Sequence, residues 1–295
     1  MIELRVREQL VLLCCNWRKE NTEDKTGCTN MERLIKGKTE PYFENDIGQL
    51  YLGDSFQLLK RMVPESVDMI FADPPYFLSN DGVTCRSGHL VSVNKASWDE
   101  GMDFQSRHRF NRRWLRLCKR CLSPNGTIWI SGTMHNIFSI GMALEQEGFK
   151  IINSITWQKT NPPPNLACRC FTHSTETIIW AKKNEKKAKH TFNYELMKQR
   201  NGGHQMKDVW TGSRTRPSEK KVGKHPTQKP EYLMENIVLS STKRGDLVLD
   251  PFCGSGTTGV AAVRFGRRFI GIDNEKEYIE TAFKRMSNVQ EELEW

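Results

Sequence analysis

Two short stretches carry residue types at spacings that could do chemistry. The first is Asp73-Pro74-Pro75-Tyr76, directly after the apolar run Val67 to Ala72. Two consecutive prolines fix φ near −65° and remove two backbone donors. The segment is therefore stiff and presents carbonyl acceptors; Asp73 adds a carboxylate and Tyr76 an aromatic face. Such a set suits an amino group on a planar heterocycle, whose ring stacks while its NH2 donates two hydrogen bonds. The competing reading is a proline turn after a strand, with Tyr76 as edge packing.

The second stretch is Gly254-Ser255-Gly256-Thr257-Thr258-Gly259, which fits G-x-G-x-x-G after the apolar strand ending at Asp250. Glycines let a backbone approach a ligand closely. Asp273, nineteen residues after Gly254, is placed to accept hydrogen bonds from ribose hydroxyls. That pattern fits any nucleoside-bearing cofactor, so a nicotinamide dinucleotide and S-adenosylmethionine both satisfy it.

Regular elements must position these stretches. Leu50 to Leu52 predicts a strand, and Phe56, Leu58, Leu59 and Met62 predict a helix after it. Val67 to Ala72 reads as a strand buried on both faces. A long loop is expected over Phe77 to Glu100, then a helix with Trp114, Leu115, Cys118 and Cys121 on its apolar side, ended by Pro124-Asn125-Gly126. Strands follow at Thr127 to Ser131, Lys150 to Trp157 and Thr175 to Ala181, with a helix around Ile137 to Glu147 between the first two. From Lys229 the order is a helix to Thr242, a strand Leu247 to Leu249, the glycine turn, a helix Thr257 to Phe265, a strand Arg268 to Ile272 and a last helix from Glu275. Strands alternating with helices predict an α/β protein with a doubly wound, mostly parallel sheet.

Composition narrows the function classes. Of 295 residues, 37% are hydrophobic and 27% charged, with 8 Trp, 14 Phe and 6 Tyr, which excludes a fibrous or wholly disordered chain. No stretch approaches the ~18 apolar residues of a membrane span. Nine cysteines without a visible export signal predict reduced thiols and a cytoplasmic protein. Cys118 and Cys121 share one helical face and read as core thiols, so no metal is expected. The net charge is +9, and the segment Lys182 to Lys224, with 13 basic and 4 acidic residues, carries all of it. A neutral body with one basic insert suits a phosphate-backbone binder; a solvated lysine-rich loop is the alternative.

The phrase Ala72 to Tyr76 (ADPPY), followed far downstream by Asp250 to Gly259 (DPFCGSGTTG), resembles the beta class of amino-group DNA methyltransferases. Further matches are Tyr51 to Asp54 (YLGD), Ser154 to Pro162 (SITWQKTNP) and His225 to Pro230 (HPTQKP). The resemblance runs from about Gly48 to Met286. It implies the class I S-adenosylmethionine-dependent methyltransferase fold in circularly permuted order. It further implies that Asp73 and the Pro74 carbonyl bind the exocyclic amine, with Pro75 stiffening the turn and Tyr76 stacking on the base. Asp250, Phe252, Gly254 and Gly256 would line the methionine part of S-adenosylmethionine, with Thr227 and Lys229 nearby; Asp273 would bind its ribose and Asp54 its adenine amine. Asp at position 73 points to adenine N6 over cytosine N4.

DNA is the implied partner, and the base must swing out of the duplex to be reached. DNA contacts are expected from Lys182, Lys183, Lys186, Lys187, Arg200, Lys207, Arg214, Arg216, Lys220 and Lys221. The domain expectation is a mobile extension over 1–40, in which Met31 could be the true start, a catalytic domain over 41–160 and 225–295, and a basic target-recognition insert over 161–224. Ser154 to Asn165, Thr172 to Asn184 and Met206 to Gly212 look most like enzymes that modify the adenine of GATC. The expected role is thus the methyltransferase of a restriction–modification pair with a cognate endonuclease, as a homodimer. N4-cytosine methylation, a nicotinamide oxidoreductase and a non-catalytic DNA-binding module are the alternatives.

Overall fold

The computed structural model describes residues 31–76, 103–223 and 225–292, together with the backbone of 83–86 and 89–92. Its centre is a nine-stranded sheet. In chain order the strands are β1 (Phe43–Glu44), β2 (Gly48–Leu52), β3 (Val67–Ala72), β6 (Leu122–Gly132), β7 (Phe149–Lys159), β8 (Thr175–Lys183), β9 (Val209–Gly212), β10 (Leu247–Asp250) and β11 (Arg268–Asp273). Their order across the sheet is β1-β2-β11-β10-β3-β6-β8-β7-β9. β2, β11, β10, β3 and β6 run parallel. β8 runs against both neighbours, and β9 is parallel to β7.

The apolar runs form central strands because the sheet is covered on both faces. Along β3, Val67, Ile70 and Ala72 pack with one cluster while Met69 and Phe71 pack with the other. The first cluster receives α1 (Ser55–Arg61), α2 (Phe104–Cys121) and α3 (Ile137–Gln146) through Leu58, Leu59, Trp114, Leu115, Ile140 and Leu144. The second receives α5 (Glu231–Ser241), α6 (Thr257–Arg264) and α7 (Lys276–Ser287) through Leu233, Ile237, Val260, Ile279 and Phe283. The short α4 (Tyr194–Arg200) packs Met197 against Leu239 and Phe265. Cys118 and Cys121 are fully buried on α2, and burial pushes the Cys121 thiol up to about 11.

Several boundaries differ from expectation for local reasons. The loop expected over Phe77 to Glu100 contains a hairpin, β4 (Val83–Arg86) with β5 (His89–Ser92); the rest of it lies outside the described residues. Pro124-Asn125-Gly126 does not separate helix from strand: β6 already pairs at Leu122, with a shift of register between Val67 and Met69. Of the segment expected as an extension, residues 1–30 lie outside the described residues, but Met31 and Ile35 are buried in the core and Ile35 bridges Met62. The span 161–224 is not a self-contained insert, because β8 lies between β6 and β7 in the main sheet and β9 extends it.

Candidate active site

β3, β10 and β11 end side by side, and the chain turns that follow them form the site. Asp73, Pro74, Pro75 and Tyr76 leave β3; Asn136 Nδ2 donates to the Pro75 carbonyl at 3.1 Å and ties the turn to the start of α3. Tyr76 is buried, and its hydroxyl donates to Asp73 Oδ1 at 2.6 Å. Lys229, just before α5, donates from Nζ to Asp73 Oδ2 at 2.5 Å and to the Tyr76 oxygen at 2.8 Å. The same ammonium lies 5.3 Å from the centre of the Tyr76 ring. Burial opposes its charge, but Asp73, Tyr76 and Glu176 outweigh burial and hold its pKa well above the ordinary lysine value. Burial and the Asp73 carboxylate raise that of Tyr76.

The glycine turn follows β10. Asp250 is fully buried and is spent on the turn itself: Oδ1 accepts from the Phe252 N–H at 3.0 Å and Oδ2 from the Thr258 hydroxyl at 2.6 Å. Burial pushes its pKa up to about 7. Asp273 at the end of β11 accepts from the Gly254 N–H at 2.8 Å and the Glu275 N–H at 2.9 Å, and burial raises it too. Gly254 and Gly256 both have positive φ, +50° and +72°. A Cβ on Gly254 would stand 3.1 Å from the His225 ring, and one on Gly256 would stand 2.6 Å from Ala282 of α7. The His225 ring packs edge-on against Tyr278, and burial lowers its pKa to about 4, so it is neutral.

These turns enclose a cavity of about 250 Å³ lined by Asp54, Asp73, Asp250, Phe252, Gly254, Asp273, Thr227 and Lys229, with His225 and Tyr278. Four carboxylates around an apolar floor suit a ligand with a cationic centre and hydroxyls. Gly256 is the exception among the expected cofactor residues: it does not line the cavity, and its lack of a side chain serves the approach of α7. Asp54 doubles as the N-cap of α1, accepting from the Gln57 N–H at 2.9 Å. A larger groove continues from the cavity across Thr227, Gln228 and Lys229, past Tyr76, to Arg214 and Lys220.

The expected DNA-contact residues separate. Arg214 and Lys220 line the groove, and Arg216 and Lys221 are exposed beside them. Lys182 pairs with Thr127, midway along β6, whereas Gly132 at its end pairs with Thr177. Five residues of strand, roughly 17 Å, therefore set Lys182, Lys183, Lys186 and Lys187 toward the far end of the sheet. Lys183 is buried against Glu65 at 3.0 Å, and Lys182 Nζ donates to the Ala188 carbonyl. Arg200 pairs with Glu235, and Lys207 lies by the Trp129, Trp180 and Trp210 cluster. Among the described residues no group of three or more His, Cys, Asp or Glu could hold a metal ion.

Residue patterns do not reveal Glu176 or Lys159. Glu176, the second residue of β8, accepts from Lys159 Nζ at 2.6 Å and lies 3.6 Å from Lys229. Their meeting depends on the register that pairs Trp157 with Glu176, which no local spacing encodes.

The profile of a family described as DNA methylase matches residues 67–284. Type II methyltransferase M2.LlaDCHI of Lactococcus lactis subsp. cremoris is 65% identical over 249 residues, 84% of this chain and 93% of that protein. M2.DpnII of Streptococcus pneumoniae is 65% identical over 248 residues (84% and 92%), and M2.MboI of Moraxella bovis is 50% identical over 254 residues (85% and 93%). Among solved structures, the M1.HpyAVI–SAM complex has a TM-score of 0.60 at 32% identity, covering 81% of this chain and all but 1% of that one. The cytosine-N4-specific PvuII DNA methyltransferase has a TM-score of 0.67 at 17% identity (87% and 98%), a likeness of fold alone. With a doubly wound sheet, a carboxylate-lined cavity and these relatives, the chain belongs to the DNA methylase family and is an S-adenosylmethionine-dependent DNA methyltransferase.

Proposed function

We propose that the chain methylates the N6 amine of an adenine swung out of the duplex, within GATC, as the modification enzyme of a type II restriction–modification system acting with a cognate endonuclease. The observation that carries the amine assignment is the Asp73 carboxylate, which already holds a nitrogen donor, the Lys229 ammonium, beside Tyr76 at the cavity. Asp at position 73 favours adenine, the relatives are named type II methyltransferases, and the GATC assignment rests on the motif resemblance.

S-adenosylmethionine supplies a methyl group already activated by the positive sulfonium. The residues fit it: Asp273 for the ribose, Asp54 for the adenine amine, and Asp250, Phe252 and Gly254 around the methionine part. Asp73 and the Pro74 carbonyl accept the two amine hydrogens and draw the nitrogen toward tetrahedral geometry, so that its lone pair faces the cavity. Tyr76 stacks on the base and the Asn136 tie keeps the turn from yielding. Catalysis of this kind is positioning and electrostatics, for which effective molarities correspond to about 7–11 kcal/mol of barrier. Arg214, Arg216, Lys220 and Lys221 serve as phosphate and base contacts along the groove. The protein works in the cytoplasm as a homodimer; among the described residues no helix is long and apolar enough to cross a membrane.

Incubation with labelled S-adenosylmethionine and DNA, followed by nucleoside analysis, tests the reading. Labelled N6-methyladenine is expected, at GATC when the modified sites are sequenced. N4-methylcytosine or an unlabelled product would overturn it.

A further inference from the structure

Lys229 stands where the substrate should stand. Its ammonium is 2.5 Å from Asp73 Oδ2, 2.8 Å from the Tyr76 oxygen and 5.3 Å from the Tyr76 ring centre. A base amine bound to Asp73 would need that carboxylate. An ammonium and a base amine on one buried carboxylate compete for its charge, so the amine binds more tightly once the ammonium has moved aside. Its charge, however, cannot be left unpaired, because an uncompensated buried cation is strongly unfavourable.

A destination is in place. Glu176 Oε2 lies 3.6 Å from Lys229 Nζ, too far for a hydrogen bond, and among the described residues this buried atom has no hydrogen-bond partner. The other oxygen, Oε1, is fixed by Lys159 at 2.6 Å, which aims Oε2 toward Lys229. Glu176, Lys159 and Lys229 all line the groove by which a base would arrive. A shift of the ammonium by about 1 Å would turn the 3.6 Å approach into a charge-assisted hydrogen bond.

We infer that Glu176 is a positioning residue: it receives the Lys229 ammonium when the target base enters, and so vacates Asp73 for the base amine. Lys229 is then a stand-in that holds the Asp73 carboxylate and the Tyr76 hydroxyl in register while no base is bound. Lys159 holds the receiver in place. The inference rests on the amine-methylation reading above.

The test is a double-mutant cycle on the holoenzyme with a duplex carrying the modified site. In Glu176→Gln the ammonium stays on Asp73 and competes with the base. The KM for DNA therefore rises roughly tenfold, about the weight of one charge-assisted hydrogen bond, while the single-turnover rate at saturating DNA stays within about threefold of wild type. Glu176→Asp, which keeps the carboxylate, recovers part of the loss. In a Lys229→Met background the Glu176→Gln change adds nothing to DNA affinity, measured with S-adenosylhomocysteine so that no turnover is needed.

A fluorescent duplex with purine in place of the target adenine supplies a second readout. Wild type prefers adenine, and Glu176→Gln loses most of that preference. An unchanged KM in Glu176→Gln, or an equal penalty in the Lys229→Met background, overturns the inference. Should Glu176→Gln fold poorly with two buried lysines, the variant with Lys159→Met added removes the surplus charge and carries the same comparison. A product labelled on cytosine would overturn the adenine assignment and leave the cycle readable on the cytosine amine.

Discussion

Lys229 and Lys183 are both buried lysines in ion pairs, and they lie toward opposite ends of one sheet. Lys229 meets Asp73, a mostly buried carboxylate beside an aromatic ring and a cavity. Lys183 meets Glu65, whose side chain is 57% exposed, and lines neither the carboxylate cavity nor the groove. The first arrangement keeps charges away from water next to a space a ligand can fill; the second staples a strand end to a turn. Buried charge alone therefore does not mark a site. What marks it is that Asp73 stands at the end of β3, beside the ends of β10 and β11, where a doubly wound sheet opens its crevice.

The sharpest way to break this comparison is to remove one carboxylate from each end. Asp73→Ala is expected to lower turnover roughly a thousandfold, the scale of losing a transition-state contact. Calorimetric affinity for S-adenosylmethionine should stay near that of wild type. Glu65→Ala should leave turnover unchanged and cost about 3 kcal/mol of stability, since it strands the buried Lys183 ammonium without its partner. Equal turnover losses in the two variants would erase the distinction.

A smaller effect is expected from pH. His225, beside the glycine turn, is neutral when folded, with its pKa lowered to about 4 from 6.5. The unfolded chain takes up this proton as pH falls below 6.5, while the folded chain resists until about 4. Stability from this group is thus fully present above pH 6.5 and lost as pH falls through that window, by about 3 kcal/mol. Asp250 works in the other sense: its folded pKa of about 7 lies above the ordinary 3.8, so its contribution is lost as pH rises through that range. The informative quantity is the difference between wild type and His225→Gln in denaturant titrations at pH 4 and pH 7. It should narrow at the acid end, and parallel curves would contradict the neutral histidine.

The smallest effect separates the two groups of basic residues. Replacing Arg214 and Lys220 by alanine should weaken DNA binding about tenfold at moderate salt and flatten the plot of log affinity against log salt by about two phosphate contacts. Replacing Lys186 and Lys187 should change neither. The reverse outcome would move the DNA to the far end of the sheet.

Much of this was legible in the sequence. The two chemical stretches can be read because each is local: a proline pair after a buried strand, and glycines between a strand and a helix. Asp273 is reachable too, since one helix and one strand fix its offset from the turn. Only part of the basic segment lies by the groove, with Arg214 and Lys220 on its lining, because charge is a property of composition whereas placement depends on β8 running backwards. That reversal sends the residues after Ala181 away from the site and brings Glu176 and Thr177 to it. Gly256 reads as a ligand glycine in the hexapeptide, and the approach of Ala282 on α7 that also demands it cannot be seen from so local a pattern.

The order of the strands across the sheet has a consequence for synthesis. β2, the first long strand, has β11 as its parallel neighbour, and the Asp73 clamp is completed by a lysine 156 positions later. A chain emerging from the ribosome can thus form the clamp only once Lys229 is free, and the cavity only once residues beyond 273 follow. Contacts that span this much chain are slow to close. Prematurely terminated chains would be catalytically silent, and each molecule would become competent in one late step.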